Sequence, residues 1–123
     1  MRVYPVLLTD GIKKELQKSL DRGNNTWEQI EGWLADRVAC VWEINAQAWA
    51  VTFANADDEI ELVLGGGQGA FQCVPPFAEA MLALPEHRGK TLRLEGRKGW
   101  RRFLVDWDCE EVGGGNVILT KRV

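Results

Sequence analysis

Reactive side chains are scarce in this chain. Of its 123 residues one is histidine, one is tyrosine and three are cysteine. Cys40, Cys73 and Cys109 are odd in number and far apart, with no Cys-x-x-Cys pair. That excludes a zinc-cluster spacing and a disulfide framework, and it fits a reducing, cytoplasmic compartment. His87 has no second histidine, so no metal site is expected; it falls at an expected helix end, where a cation suits the helix dipole. No run approaches the roughly 20 apolar residues that cross a bilayer. Residues 1–8 lack a long apolar core and a small-residue cleavage site, so no signal peptide is expected either. Repeats, low-complexity tracts and linkers are missing, which leaves one domain over 1–123. A net charge of −3 argues against general binding to nucleic-acid phosphates.

The chain is 46% hydrophobic and 27% charged, so it can bury a core. Six tryptophans are spread along it, as core or interface anchors usually are. Cys40 and Cys109 sit in apolar or strand-like settings and are expected in the core, whereas Cys73 lies in a glycine-rich segment and is expected to be exposed. One stretch is strongly basic: Arg88, Lys90, Arg93, Arg97, Lys98, Arg101 and Arg102 stand against Glu95 alone. Such a run is a solvated face or, more sharply, an anion site for phosphate or an acidic partner.

The pattern predicts two opening helices. Ile12, Leu16 and Leu20 repeat every four residues over 11–22, with Thr9 or Asp10 as cap and Gly23 as stop. Thr26 and Gln29 form a capping box for a helix to about Ala35 that buries Ile30, Trp33 and Leu34. Residues 38–44 and 48–53 read as an antiparallel hairpin, and 59–64 as a third, doubly covered strand. A glycine loop follows, then a helix opened by Pro75 and Pro76. Leu92 and Leu94 alternate with Arg93 and Glu95 in a strand over 91–95; a short helix over 97–104 carries Trp100, Phe103 and Leu104. Residues 109–112 and 116–121 flank Gly113-Gly114-Gly115 as a closing hairpin. The strand–helix–strand unit between Leu64 and Thr91 needs a right-handed crossover and parallel strands. The expected class is α/β (α+β): a mixed, mostly antiparallel sheet with helices on both faces and a central parallel strand pair.

That order resembles the Gcn5-related N-acetyltransferase superfamily, provided residues 3–8 supply its first strand. It is similar to a phage- and prophage-borne branch of that fold along nearly the whole chain. The matching pieces are Thr26-Trp27-Glu28-Gln29-Ile30 with Leu34, the strand around Val41-Trp42, Glu61-Leu62-Val63-Leu64-Gly65-Gly66-Gly67, and Leu94-Glu95-Gly96-Arg97-Lys98-Gly99-Trp100. The resemblance implies a glycine loop that cradles the pyrophosphate of acetyl-CoA, here Gly65, Gly66, Gly67, Gln68 and Gly69, since backbone donors at a helix start attract phosphate. The spacing departs from the family's, in which glutamine or arginine stands three positions before a glycine. Pro75 and Pro76 are also expected to delete donors at that helix start. A base is implied on the fourth strand, where Glu59 and Glu61 stand, although both fit the solvent side of an alternating strand. The acid implied is a tyrosine near 97–104, and the only tyrosine is Tyr4. Three functions follow: a non-catalytic virion or assembly protein, in the host cytoplasm or the virion, that contacts other phage structural proteins or its own copies; an N-acetyltransferase with an atypical loop; and a nucleic-acid module built on 88–102. Trp100 is expected to pack under the sheet, and Gly66 to need a positive φ.

Overall fold

The computed structural model describes residues 2–122, with backbone alone at 70 and 71. The chain runs β1 (Val3–Val6), α1 (Asp10–Arg22), α2 (Trp27–Ala35), β2 (Ala39–Ile44), β3 (Ala48–Ala54), β4 (Glu59–Gly67), α3 (Ala70–Ala83), β5 (Thr91–Arg97), β6 (Asp108–Gly113) and β7 (Asn116–Arg122). Short 3-10 turns at Pro85–His87 and Lys98–Arg102 precede and follow β5. The strands form one seven-stranded sheet in the order β1-β2-β3-β4-β5-β7-β6. Every neighbouring pair is antiparallel except β4 and β5, which the α3 connection makes parallel.

Local chemistry sets the helices. The Thr9 hydroxyl accepts from the Ile12 N–H and starts α1. Thr26 and Gln29 satisfy each other's backbone donors in the expected capping box. The stripe of Ile12, Leu16 and Leu20 packs with Ile30 against Val41, Val51 and Leu64 on one sheet face. On α2, Trp33 stacks on Phe53 with ring centroids 4.4 Å apart. On the opposite face α3 lays Phe77, Ala78 and Met81 on Ile44, Ala48, Ala50, Ile60 and Leu92. The sheet is therefore covered by helices on both faces, as the pattern predicts. Among the described residues no helix is long and apolar enough to cross a membrane.

Several expectations are corrected. The segment expected as a glycine loop is strand: Gly65, Gly66 and Gly67 continue β4 and pair with Ala50, Trp49 and Ala48. Their lack of side chains serves proximity. A Cβ at Gly66 would stand 2.4 Å from the Glu15 carbonyl oxygen, so α1 rests directly on the β4 backbone. The positive φ expected at Gly66 is not found there; Gly67 and Gly69 have it, at 105° and 68°. Helix α3 starts at Ala70, and Pro75 and Pro76 lie inside it instead of opening it. The expected helix over 97–104 is only a 3-10 turn. Two cysteines exchange environments: Cys73, on α3, is buried and Cys109 is exposed on the edge strand β6, while Cys40 is half-buried. His87 is buried, and its Nδ1 lies 2.7 Å from the Met81 carbonyl, an N–H donor closing the end of α3.

Gly66→Ala is expected to destabilise the fold by about 1–3 kcal/mol, because backbone must move to admit the methyl group. Gly65→Ala, whose Cβ would meet nothing within 4 Å, should stay within about 0.5 kcal/mol of the parent. Thermal or urea unfolding of the two variants checks the contrast.

Candidate functional site

The candidate site lies where β4 and β5 part. They pair only at Glu59–Thr91, Ile60–Leu92 and Glu61–Arg93. Beyond that, β5 stays with β7 as far as Arg97–Asn116, while β4 stays with β3 as far as Gly67–Ala48. A register shift at Val51/Thr52 puts a bulge into the β3–β4 ladder at the same level, and a bulge turns a strand away from its other neighbour. The fork is thus a consequence of how β4 is held.

Glu61 sits at the fork. Arg93 Nη1 donates to its Oε1 at 2.9 Å, and Arg93 Nη2 lies 3.9 Å from Glu95 Oε2. The Glu61 and Arg93 side chains are both about a quarter exposed (26% and 23%), so the pair is shielded from water on most sides. Glu59 has a different role. Its Oε1 accepts from Asn55 Nδ2 at 2.9 Å, while Asn55 Oδ1 accepts from the N–H groups of Asp57 and Glu59. That side chain closes the β3–β4 turn. Of the two expected base candidates, only Glu61 faces the fork, and a guanidinium already holds it.

On the α3 side the fork is filled. Leu94, Leu104, Val117 and Leu119 form a core to which Leu62, Val74, Trp100 and Trp107 add. What remains between them and α3 is a cavity of about 20 Å³, bordered by Thr52 and Arg93 and otherwise by apolar residues. Trp100 packs there as expected, and it explains the signature around it. A Cβ at Gly96 would stand 2.7 Å from Trp100 Cδ1, so only glycine lets the indole lie across β5. Lys98 N–H then donates to the Gly115 carbonyl at 3.1 Å, tying the 3-10 turn to the tip of the β6–β7 hairpin.

The remaining expected site residues scatter. Gly65, Gly66 and Gly67 lie in β4 and do not form a cradle; Gln68 N–H donates to the Gln47 carbonyl at 2.8 Å, and Gly69 caps α3. Because α3 begins at Ala70, the prolines fall one turn inside it and leave the first-turn donors in place, contrary to the expected loss of those donors. Tyr4 lies on β1 at the far edge of the sheet, where its hydroxyl donates to Glu43. Much of the basic stretch is matched by acids: Arg93 with Glu61, Lys90 with Asp58, and Lys98 and Arg101 with Glu111. Among the described residues no cluster of three metal-ligating side chains occurs. The sequence reading missed that a glycine run can be strand; the signal available was that its residues continue an apolar strand without any turn former other than glycine.

Comparison with known protein families, with curated proteins and with solved structures finds no match to this chain.

The hydrogen bond to Glu43, the burden of a nearby carboxylate and slight desolvation all raise the Tyr4 pKa above its ordinary value of about 10. Tyrosinate absorbance should therefore appear above pH ~10 and move back toward that value in Glu43→Gln. Whatever this contact contributes to stability is complete below the unfolded tyrosine pKa and is lost as pH rises through the folded one. A midpoint unchanged by Glu43→Gln would contradict the contact.

Proposed function

We propose that this chain is a bacteriophage or prophage protein with a fold like the Gcn5-related N-acetyltransferases, used as a non-catalytic interaction or assembly component. Fold alone does not assign activity, so the reading rests on the fork. One observation carries it: the space between the parallel strands is closed by Leu62, Val74, Leu94, Leu104 and Trp107, leaving about 20 Å³. An acyl-pantetheine arm needs an open channel there. The residues present do not fit acetyl-CoA. The order of elements, with β1 as the first strand and α3 between the parallel strands, supports the family likeness. The distance of Tyr4 from the fork supports the absence of a general acid.

In this reading the partners are proteins, either other phage structural components or further copies of the chain, met in the host cytoplasm or in the virion. Exposed Phe103, Val105 and Val112 near the C-terminal hairpin offer apolar contact area of the kind such interfaces use. The nucleic-acid reading is weakened by the acids that match the basic stretch.

One observation favours the transferase reading. Helix α3 follows β4 directly and keeps its first-turn N–H donors, which is where a pyrophosphate would sit. Calorimetric titration with acetyl-CoA decides. The proposal expects no saturable heat up to millimolar ligand, and saturable one-to-one binding would overturn it.

A further inference from the structure

At the end of the parallel pair away from the fork, the α3 face of the sheet opens into a cleft of about 180 Å³. It is lined by the start of β2, the end of β3, the start of β4 and the segment that leads from α3 into β5. Trp42 and Ile60 give it apolar surface, and Arg37, Lys90, His87 and Glu86 bring charge or ring nitrogen. The polar groups of the apolar wall are already satisfied: Trp42 Nε1 donates to Thr52 Oγ1 at 2.9 Å, and His87 Nδ1 donates to the Met81 carbonyl. Of the two cations only Arg37 lacks a partner among the described residues. Lys90 reaches Asp58 at 3.8 Å.

Arg37 also stands where the backbone asks for glycine. Helix α2 ends with Arg37 N–H donating to the Leu34 carbonyl and Val38 N–H to the Trp33 carbonyl, at 3.2 and 3.0 Å. This is the Schellman ending, whose first residue beyond the cap is left-handed and usually glycine. Arg37 holds φ at 60°, a conformation that costs a side chain stability. The same left-handed φ occurs at Asn45, Ala46 and Asp58 in turns, so the helix ending accounts for the backbone, and what singles out Arg37 is an unpaired cation beside an apolar cleft.

We propose that this cleft is a binding site for a small organic anion, a carboxylate borne on a compact planar or apolar group, with Arg37 as the cation that receives it. The carboxylate would take charge-assisted hydrogen bonds from the guanidinium, Lys90 would add a second positive charge, and the ring would lie against Trp42 and Ile60. The volume is below the ~300–1,000 Å³ of sites for drug-sized ligands, so a single-ring acid fits and a nucleotide does not. The inference is independent of whether the fork binds acetyl-CoA, since Arg37, Glu86, His87 and Lys90 line this cleft and not the fork cavity, although Thr52 and Ile60 border both.

Benzoate is the probe, with benzylamine as its cationic counterpart, followed by amide and indole NMR of the intact chain. Benzoate should give saturable shifts at Trp42 Nε1–H, at His87 and at the amides of Arg37 and Lys90, with a roughly millimolar Kd, as a ligand of this size permits. Trp27, on the other sheet face, should not respond, and benzylamine should bind more weakly than benzoate. Arg37→Gly should weaken benzoate roughly tenfold while raising Tm by about 2–6 °C, and Lys90→Gln should weaken it less. The proposal is overturned if benzoate causes no saturable shift at these positions, if benzylamine binds equally well, if Arg37→Gly leaves the affinity unchanged, or if that variant is no more stable than the parent.

Discussion

The contact between α1 and the backbone of β4 governs much of this molecule. At Gly66 the helix comes so close that a single methyl group would collide with the Glu15 carbonyl. Ser19 extends the contact, its hydroxyl accepting from the Gly65 N–H at 3.2 Å. Held there, β4 keeps its ladder with β3 to the end and cannot also follow β5. The bulge at Val51/Thr52 takes up the change of direction. Beneath the contact, Leu16, Val51 and Leu64 close the core on that face. A fully buried side chain of this size contributes about 1.5–3 kcal/mol, so the glycines are placed where they let the most valuable packing form.

The fork that results is asymmetric. Its α1–α2 side presents the charged pair Glu61–Arg93 and, next along β5, Glu95. Its α3 side is apolar and filled. The Gly96–Trp100 contact belongs to that filling: the indole crosses β5, covers Leu94 and Leu104, and leaves the following turn bound to the hairpin tip at Gly115. A stretch that reads as a signature is, in three dimensions, the clasp between the central sheet and the β6–β7 hairpin. This arrangement joins a mixed sheet with one parallel strand pair to an interior filled by its own side chains. Arg37, between α2 and β2, ends its helix with a left-handed backbone and lines the cleft beside the start of β4.

Much of the fold was legible because it is written in side-chain periodicity and caps. The Thr26–Gln29 box, the four-residue stripe of α1, the alternation in β5 and the parallel crossover all follow from residues that announce their environment. The glycines carry no such mark. Gly65, Gly66 and Gly67 have no side chain to alternate, so strand and loop look alike, and only the tertiary contact with Glu15 tells them apart. The prolines misplaced the start of α3 because proline favours a first turn, whereas here Gly69 and the following residues begin the helix a turn earlier and Phe77 and Met81 fix it by burial. Cys109 looked like core because a strand pattern does not reveal which strand is the edge. At the site, Glu61 was placed correctly on its strand. Its guanidinium partner comes from Arg93, thirty-two positions on, and no local pattern exposes that pairing.

β4 runs through its glycines beneath α1, and proton NMR reads that directly. A nuclear Overhauser contact is expected between a Gly66 Hα and the Leu16 Hα, together with slow exchange of the Gln68 amide that donates to Gln47. Fast, loop-like exchange across residues 65–68 with no contact to residues 15 and 16 would contradict it.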